Sequence, residues 1–125
     1  MSETTIHNCS RELIRRGDVY VGRRSKSLAG QEIEGWDGRF GNPFIIRGKE
    51  VHRNKAVENY ERYARDRIVR DPEWGNQVKG LHGRRLFCWC APKRCHAEVL
   101  ATIAAELHRQ DALADQPEID DGVDD

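Results

Sequence analysis

Ala56, Val57, Tyr60, Ala64 and Ile68 recur every three or four positions, with Tyr63 beside them and charged residues between. This spacing predicts an amphipathic helix over residues 52–70. Asp71-Pro72 then ends that helix and caps another, whose face is Trp74, Val78 and Leu81 and which finishes near Gly80 and Gly83. A third apolar stripe, Val99, Leu100, Ile103, Ala104 and Leu107, predicts a last helix over residues 94–109. Two stretches follow the shorter period of a strand. Asp18-Val19-Tyr20-Val21-Gly22 alternates and stops at a glycine, and residues 84–90 contribute Leu86, Phe87 and Trp89. Residues 10–16 fit a helical turn or a strand equally, and Phe44-Ile45-Ile46 with Val51 could flank a small hairpin.

Strand, helix, strand, helix makes a small α/β domain. If the strands at Asp18 and Arg84 run parallel, both end at one edge of the sheet, the edge where open α/β sheets bind ligands. That edge receives Gly22-Arg23 from the first strand and Cys90 with its loop from the second.

The loop after the second strand concentrates the chain's sulfur. Cys88, Cys90 and Cys95 stand with His96 inside nine positions. Thiolate and imidazole are the ligands of closed zinc sites, so Cys88, Cys90, Cys95 and His96 form a candidate zinc clip. Spacing argues against it, because a Cys-x-Cys pair on an extended strand splays its sulfurs by about 6–7 Å, and adjacent residues on a helix point about 100° apart. A second reading is chemical. Cys95 and His96 open a helix, where unpaired N–H groups favour anions, so Cys95 near Lys93 and Arg94 is expected to have a lowered pKa and to act as a nucleophile with His96, or to hold a phosphate. The third reading is that buried cysteines, Cys88 above all, only fill the core.

Residues 23–48 show no sustained periodicity and five glycines, and long irregular segments in small domains are usually functional. Trp36, Asn42, Pro43 and Phe44 lie within it and can line a pocket for a flat polar ring and its phosphate. A plain loop pinned by Asn42-Pro43 explains the same residues. No Walker loop or dinucleotide glycine fingerprint is present. His7, His52, His82 and His108 have no neighbours at ligand spacing, Trp74 reads as a core anchor, and Arg62, Arg65, Arg67 and Arg70 on the long helix could touch phosphate backbone or simply face solvent.

Charge changes the picture. The chain carries 21 basic and 21 acidic residues, but seven of the acids and none of the bases lie in residues 111–125, leaving residues 1–110 at about +7. The expected division is a basic domain over 1–110 and an acidic, disordered tail over 111–125. The basic body favours an anionic partner, a nucleotide or nucleic acid, and the tail could screen that surface. No apolar run reaches the roughly 18 residues of a membrane span, and residues 1–10 lack the pattern of a signal peptide, so a cytoplasmic protein with no membrane partner is expected. Cytosolic thiols stay reduced, which favours metal binding or catalysis over disulfides.

Val19-Tyr20-Val21-Gly22-Arg23, Gly41-Asn42-Pro43-Phe44, and Cys88-Trp89-Cys90-Ala91-Pro92 followed by Cys95-His96 and Val99-Leu100 occur in this order. In these motifs the chain resembles the domain of unknown function family 4326 of bacteriophages and bacteria. The resemblance implies a phage or mobile-element setting, a Rossmann-like sheet, and kinship with nucleotide-binding proteins that process N-glycosidic bonds. It carries over onto Gly22, Arg23, Asn42, Pro43, Cys88, Trp89, Cys90, Cys95 and His96. The functional expectation is a nucleotide-like or phosphorylated ligand at the sheet edge. Arg23 and the helix start at Cys95 hold its phosphate, Asn42 reads its base or sugar, and Trp36 or Phe44 stacks on it, with hydrolysis or transfer at a glycosidic bond as the candidate reaction. The rival is a zinc-braced module that binds nucleic acid or a host protein without catalysis.

Overall fold

The structure is a computed structural model and describes residues 3–25, 28, 33–44, 50–91 and 93–114. It is a small mixed α/β arrangement of three strands and three helices in the order β1 (Thr5–Asn8), β2 (Val19–Tyr20), α1 (Glu50–Arg70), α2 (Pro72–Lys79), β3 (Arg85–Cys88) and α3 (His96–Ala114). The three strands form one parallel sheet in the order β1-β3-β2. In the central strand, Leu86 is opposite both Ile6 and Val19, and Phe87 is opposite His7 and Tyr20. Parallel pairing delivers every strand end to one edge, as the sequence leads one to expect for the second and third.

β1 is absent from the sequence reading, which looked instead at residues 10–16. That segment is neither helix nor strand; it is a turn in which Arg11 N–H and Glu12 N–H both donate to the Asn8 carbonyl. The hairpin expected around residues 44–51 lies partly outside the described residues. Its far side is corrected, because Glu50 and Val51 already belong to α1. β3 is shorter than expected, and Trp89 and Cys90 lie beyond its end. At the other end of the chain, α3 runs on through residues 111–114, so these four belong to a helix; the remainder of the acidic segment lies outside the described residues.

Helix boundaries follow local chemistry. Asp71 caps α2 by accepting from Trp74 N–H at 3.2 Å, and Pro72 follows at the position where a missing N–H costs nothing. Trp74 is the anchor its position suggests: it is buried, and its indole N–H donates to the Arg39 carbonyl at 2.8 Å. α3 packs on β1 and β3, while α1 and α2 pack on α3 and on each other. The core is built from Val19, Val21 and Leu86 of the sheet and from Val57, Tyr60, Val78, Leu100 and Ile103 of the helices. Tyr60 is fully buried, and its hydroxyl donates to the Phe40 carbonyl at 2.9 Å, tying α1 to the glycine-rich segment. Two glycines there are sterically required. A Cβ on Gly22 would lie 2.5 Å from the Tyr20 hydroxyl, and Gly35 has φ +84°, where an added Cβ would collide with the Tyr20 carbonyl oxygen.

Among the described residues no helix is long and apolar enough to cross a membrane.

Candidate functional site

A cleft of about 350 Å³ opens at the carboxyl edge of the sheet. One wall is the turn after β2, with Gly22, Arg23, Arg24 and Ser25 beside Tyr20. The opposite wall is the end of β3 and its loop, Cys88, Trp89 and Cys90. Asn42 and Phe44 come from the glycine-rich segment, and His96 from the first turn of α3. Seven sequence candidates, Gly22, Arg23, Asn42, Phe44, Cys88, Cys90 and His96, thus meet around one hollow. Cys95 lies behind it. Trp36 and Pro43 are not on its wall: the Arg24 guanidinium lies over the Trp36 ring, 5.5 Å from its centre, and Pro43 is exposed.

Several of these side chains are already committed, which alters the roles the sequence suggests for them. Asn42 is buried; its carbonyl oxygen accepts from Phe44 N–H at 2.8 Å and its amide donates to the Ala56 carbonyl at 3.4 Å. These two bonds pin the loop. Arg23 braces the same loop, with Nε donating to the Asn42 carbonyl at 2.7 Å and one terminal nitrogen to the Phe44 carbonyl at 3.0 Å. Its charge still faces the cleft, but replacing it would also loosen a wall. Tyr20 folds back across Gly22, donating to the Arg23 carbonyl and accepting from the Trp89 indole at 2.9 Å. Trp89 itself remains 48% exposed at the rim.

The Cys95-His96 expectation is overturned in detail. Cys95 is 1% exposed, and its pKa is pushed up, because its thiol donates to Cys88 and Cys90 and because burial disfavours a thiolate. It is no nucleophile facing a ligand. His96 is held neutral by burial, with Nε2–H donating to the Val21 carbonyl and its ring edge-on to Tyr60, 4.8 Å between centres. That hydrogen bond joins the start of α3 to the end of β2 and leaves the imidazole in a structural post.

The acidic thiol is Cys90. It lines the cleft and is half-buried, and its pKa is drawn down to about 5, chiefly by the hydrogen bond from Cys95 and then by Arg53 and Lys93. Cys88 is also drawn down, first by Cys95, whose sulfur is 3.5 Å from its own, and then by the N–H groups of Cys90 and Ala91. Arg53 and Lys93 act on Cys90, so of the two thiols it is the one drawn further down. Arg53 was missed by the sequence reading. It precedes Ala56, Val57 and Tyr60 at helical spacing, so a charge on the apolar stripe of α1 was the available signal. It also donates to the Arg94 carbonyl at 3.2 Å, tying α1 to the cysteine loop.

The zinc set does not assemble. Among the described residues no group of three or more His, Cys, Asp or Glu side chains is placed to hold a metal ion. His96 is spent on Val21, and Cys90 lies past the end of β3. Elsewhere, His7 pairs with Glu12, its Nδ1–H donating to the carboxylate at 2.6 Å, and His82 stacks on His108 with 4.3 Å between ring centres. Arg65 pairs with Glu61 and Glu106, Arg67 lies over Trp74, and Arg70 pairs with Asp66, while Arg62 is exposed. The α1 arginines are therefore largely occupied within the fold.

A family described as a domain of unknown function (DUF4326) matches residues 6–106. The chain belongs to this family. No curated protein and no solved structure matches it. For a DUF4326 chain, the cleft is the natural focus: the matched region contains β1 from Ile6 onward, β2, β3, α1, α2 and the start of α3, and with them every described residue of the cleft wall. The family description assigns no chemistry, so function has to be argued from the cleft itself.

Proposed function

We propose that the cleft binds a nucleotide or another phosphorylated small molecule on a Rossmann-like sheet. The observation that carries this reading is its position: a hollow with apolar walls at the carboxyl edge of a parallel sheet, between the turn after β2 and the loop after β3. Trp89 and Phe44 offer ring faces for a base. Arg23 and Arg24 bring positive charge to the side where a phosphate would lie.

The reading is one of binding. No Asp or Glu is among the described residues of the cleft wall, whereas glycosidic chemistry calls on paired carboxylates. Asp37 is paired with Arg39 along a different groove, and Glu98 is exposed.

Thermal denaturation with a panel of nucleosides, nucleoside mono-, di- and triphosphates and inorganic phosphate tests the proposal. A fitting nucleotide at about 100 times its Kd should raise Tm by roughly 10 °C, while its nucleoside alone does much less. Trp89→Ala should remove that rise. A panel with no response, or an equal rise in the variant, rejects the reading.

A further inference from the structure

The hollows of this surface differ in charge. Three others hold cations that are already paired within them: Lys79 with Asp111, Arg84 with Glu34, and Arg39 with Asp37. The cleft at the sheet edge has Arg23 and Arg24 on its wall and, among the described residues, no Asp or Glu. Its surroundings extend the imbalance. Lys93 and Arg94 are exposed on the loop that supplies Cys90, and the Lys93 N–H donates to the Cys90 carbonyl at 2.8 Å. Arg53 on α1 donates to the Arg94 carbonyl at 3.2 Å, and the Arg94 guanidinium donates to the Asn54 side chain at 3.1 Å. Arg23 is bonded to carbonyls, and Arg24 lies over the Trp36 ring. The partners of these side chains are therefore neutral, and among the described residues no carboxylate pairs with any of the five cations.

This distribution is broader than one nucleotide can use. Arg23 and Arg24 belong to the wall after β2, whereas Lys93 and Arg94 belong to the loop after β3 and lie outside the wall itself. A phosphate held at Arg23 leaves the second group unanswered, and a chain with one negative charge per nucleotide meets both. We propose that the cleft takes one unpaired nucleotide of a single-stranded nucleic acid, and that the neighbouring phosphates of the strand lie along Lys93, Arg94 and Arg53. This deepens the nucleotide-binding reading and rests on it. Trp89, 48% exposed at the rim, supplies a ring face on which any base can stack. A single strand fits where a duplex does not, because a base inside a duplex has to be unpaired and extruded before it can enter a hollow. Cations with neutral partners keep their charge for phosphate, and each phosphate they neutralise releases counterions.

Fluorescence anisotropy on the full chain tests this, with a short labelled single strand, its duplex, and an unlabelled nucleoside monophosphate as competitor. The single strand should bind about tenfold more tightly than either alternative at low salt, and its affinity should fall with a logarithmic salt slope of about −0.7 per phosphate contacted. Lys93→Ala combined with Arg94→Ala changes two exposed residues off the cleft wall. The pair should make the slope shallower by about 1.4 and leave the Tm rise given by the mononucleotide unchanged, which also shows that the variant folds. A duplex bound as tightly as the strand, a strand bound no better than the mononucleotide, or a slope indifferent to the double substitution would overturn the proposal. The mononucleotide's own Tm rise separates the two readings. Its absence rejects both, whereas its presence without tighter binding of the strand rejects only the strand.

Discussion

Three sulfurs and their shared protons decide the chemistry at the residue scale. Cys95 keeps its proton because it is buried and has two acceptors, and of these Cys90, with Arg53 and Lys93 acting on it, is the one drawn further down. Alkylation reads this directly, since only the thiolate reacts and the rate follows its fraction. Iodoacetamide should label Cys90 at a rate that is half-maximal near pH 5 and level by pH 7, where an ordinary thiol, with a usual value of 9.0, is still rising. Arg53→Met removes a sulfur contact and a charge, so the half-point should move upward, and the rate at pH 6 should fall tenfold for each unit beyond that pH. Labelling that climbs steadily through pH 8 in the wild type, or a variant with the same profile, would remove the thiolate from Cys90. The sign for stability follows. Cys90 has a folded value below its unfolded one, so its contribution is complete above about pH 9 and is lost as pH falls through about 5. Cys95 works in the opposite sense, its contribution being complete below 9.0 and lost on going further alkaline.

Elements in this chain are set by short local signals, and the junction of α1 and α2 shows how far such signals reach. Asp71 accepts from Trp74 N–H, and its carboxylate lies 3.6 Å from Arg67 on the preceding helix. Asp71→Ala should cost about 1 kcal/mol in urea denaturation, with Asp71→Ser recovering most of it; no loss would mean the cap is idle. This junction was legible from Asp71-Pro72 alone, and the three helices were legible from stripes such as Val57, Tyr60 and Ala64. β1 was not. Thr5-Ile6-His7-Asn8 has no alternation to mark it, and it is a strand because β3 supplies a parallel partner far along the chain. The cleft was legible in outline, since Gly22-Arg23 and Cys90 close two parallel strands. Its chemistry was not. Whether Cys90 or Cys95 holds the negative charge turns on Arg53, which is thirty-seven positions from Cys90 in sequence and beside it in the fold. Asn42 looked like a base reader for the same reason: nothing in its neighbours shows that Ala56 and Phe44 take up its amide.

For the molecule as a whole, charge is balanced in number and segregated in sequence. Asp111, counted with the acidic segment on sequence grounds, bonds Lys79 at 2.6 Å and so fastens the end of α3 to α2. It belongs to the body. Residues 115–125 then hold six acids and no base, so deleting them leaves a chain with a net charge of about +6. A like-signed segment tethered to the body repels an anion approaching Arg23 and Arg24, and its removal should tighten binding of a nucleoside triphosphate several-fold at low salt. The gain should fade by 1 M salt, where the screening length is about 3 Å and only direct contacts survive. Titration calorimetry on the full chain and on residues 1–114, at low and high salt, separates the cases. Equal affinities at both salt concentrations would mean the acidic segment exerts no field at the cleft. A gain that persists at high salt would mean the segment occupies the cleft by contact, and the cleft's ligand would then compete with part of its own chain.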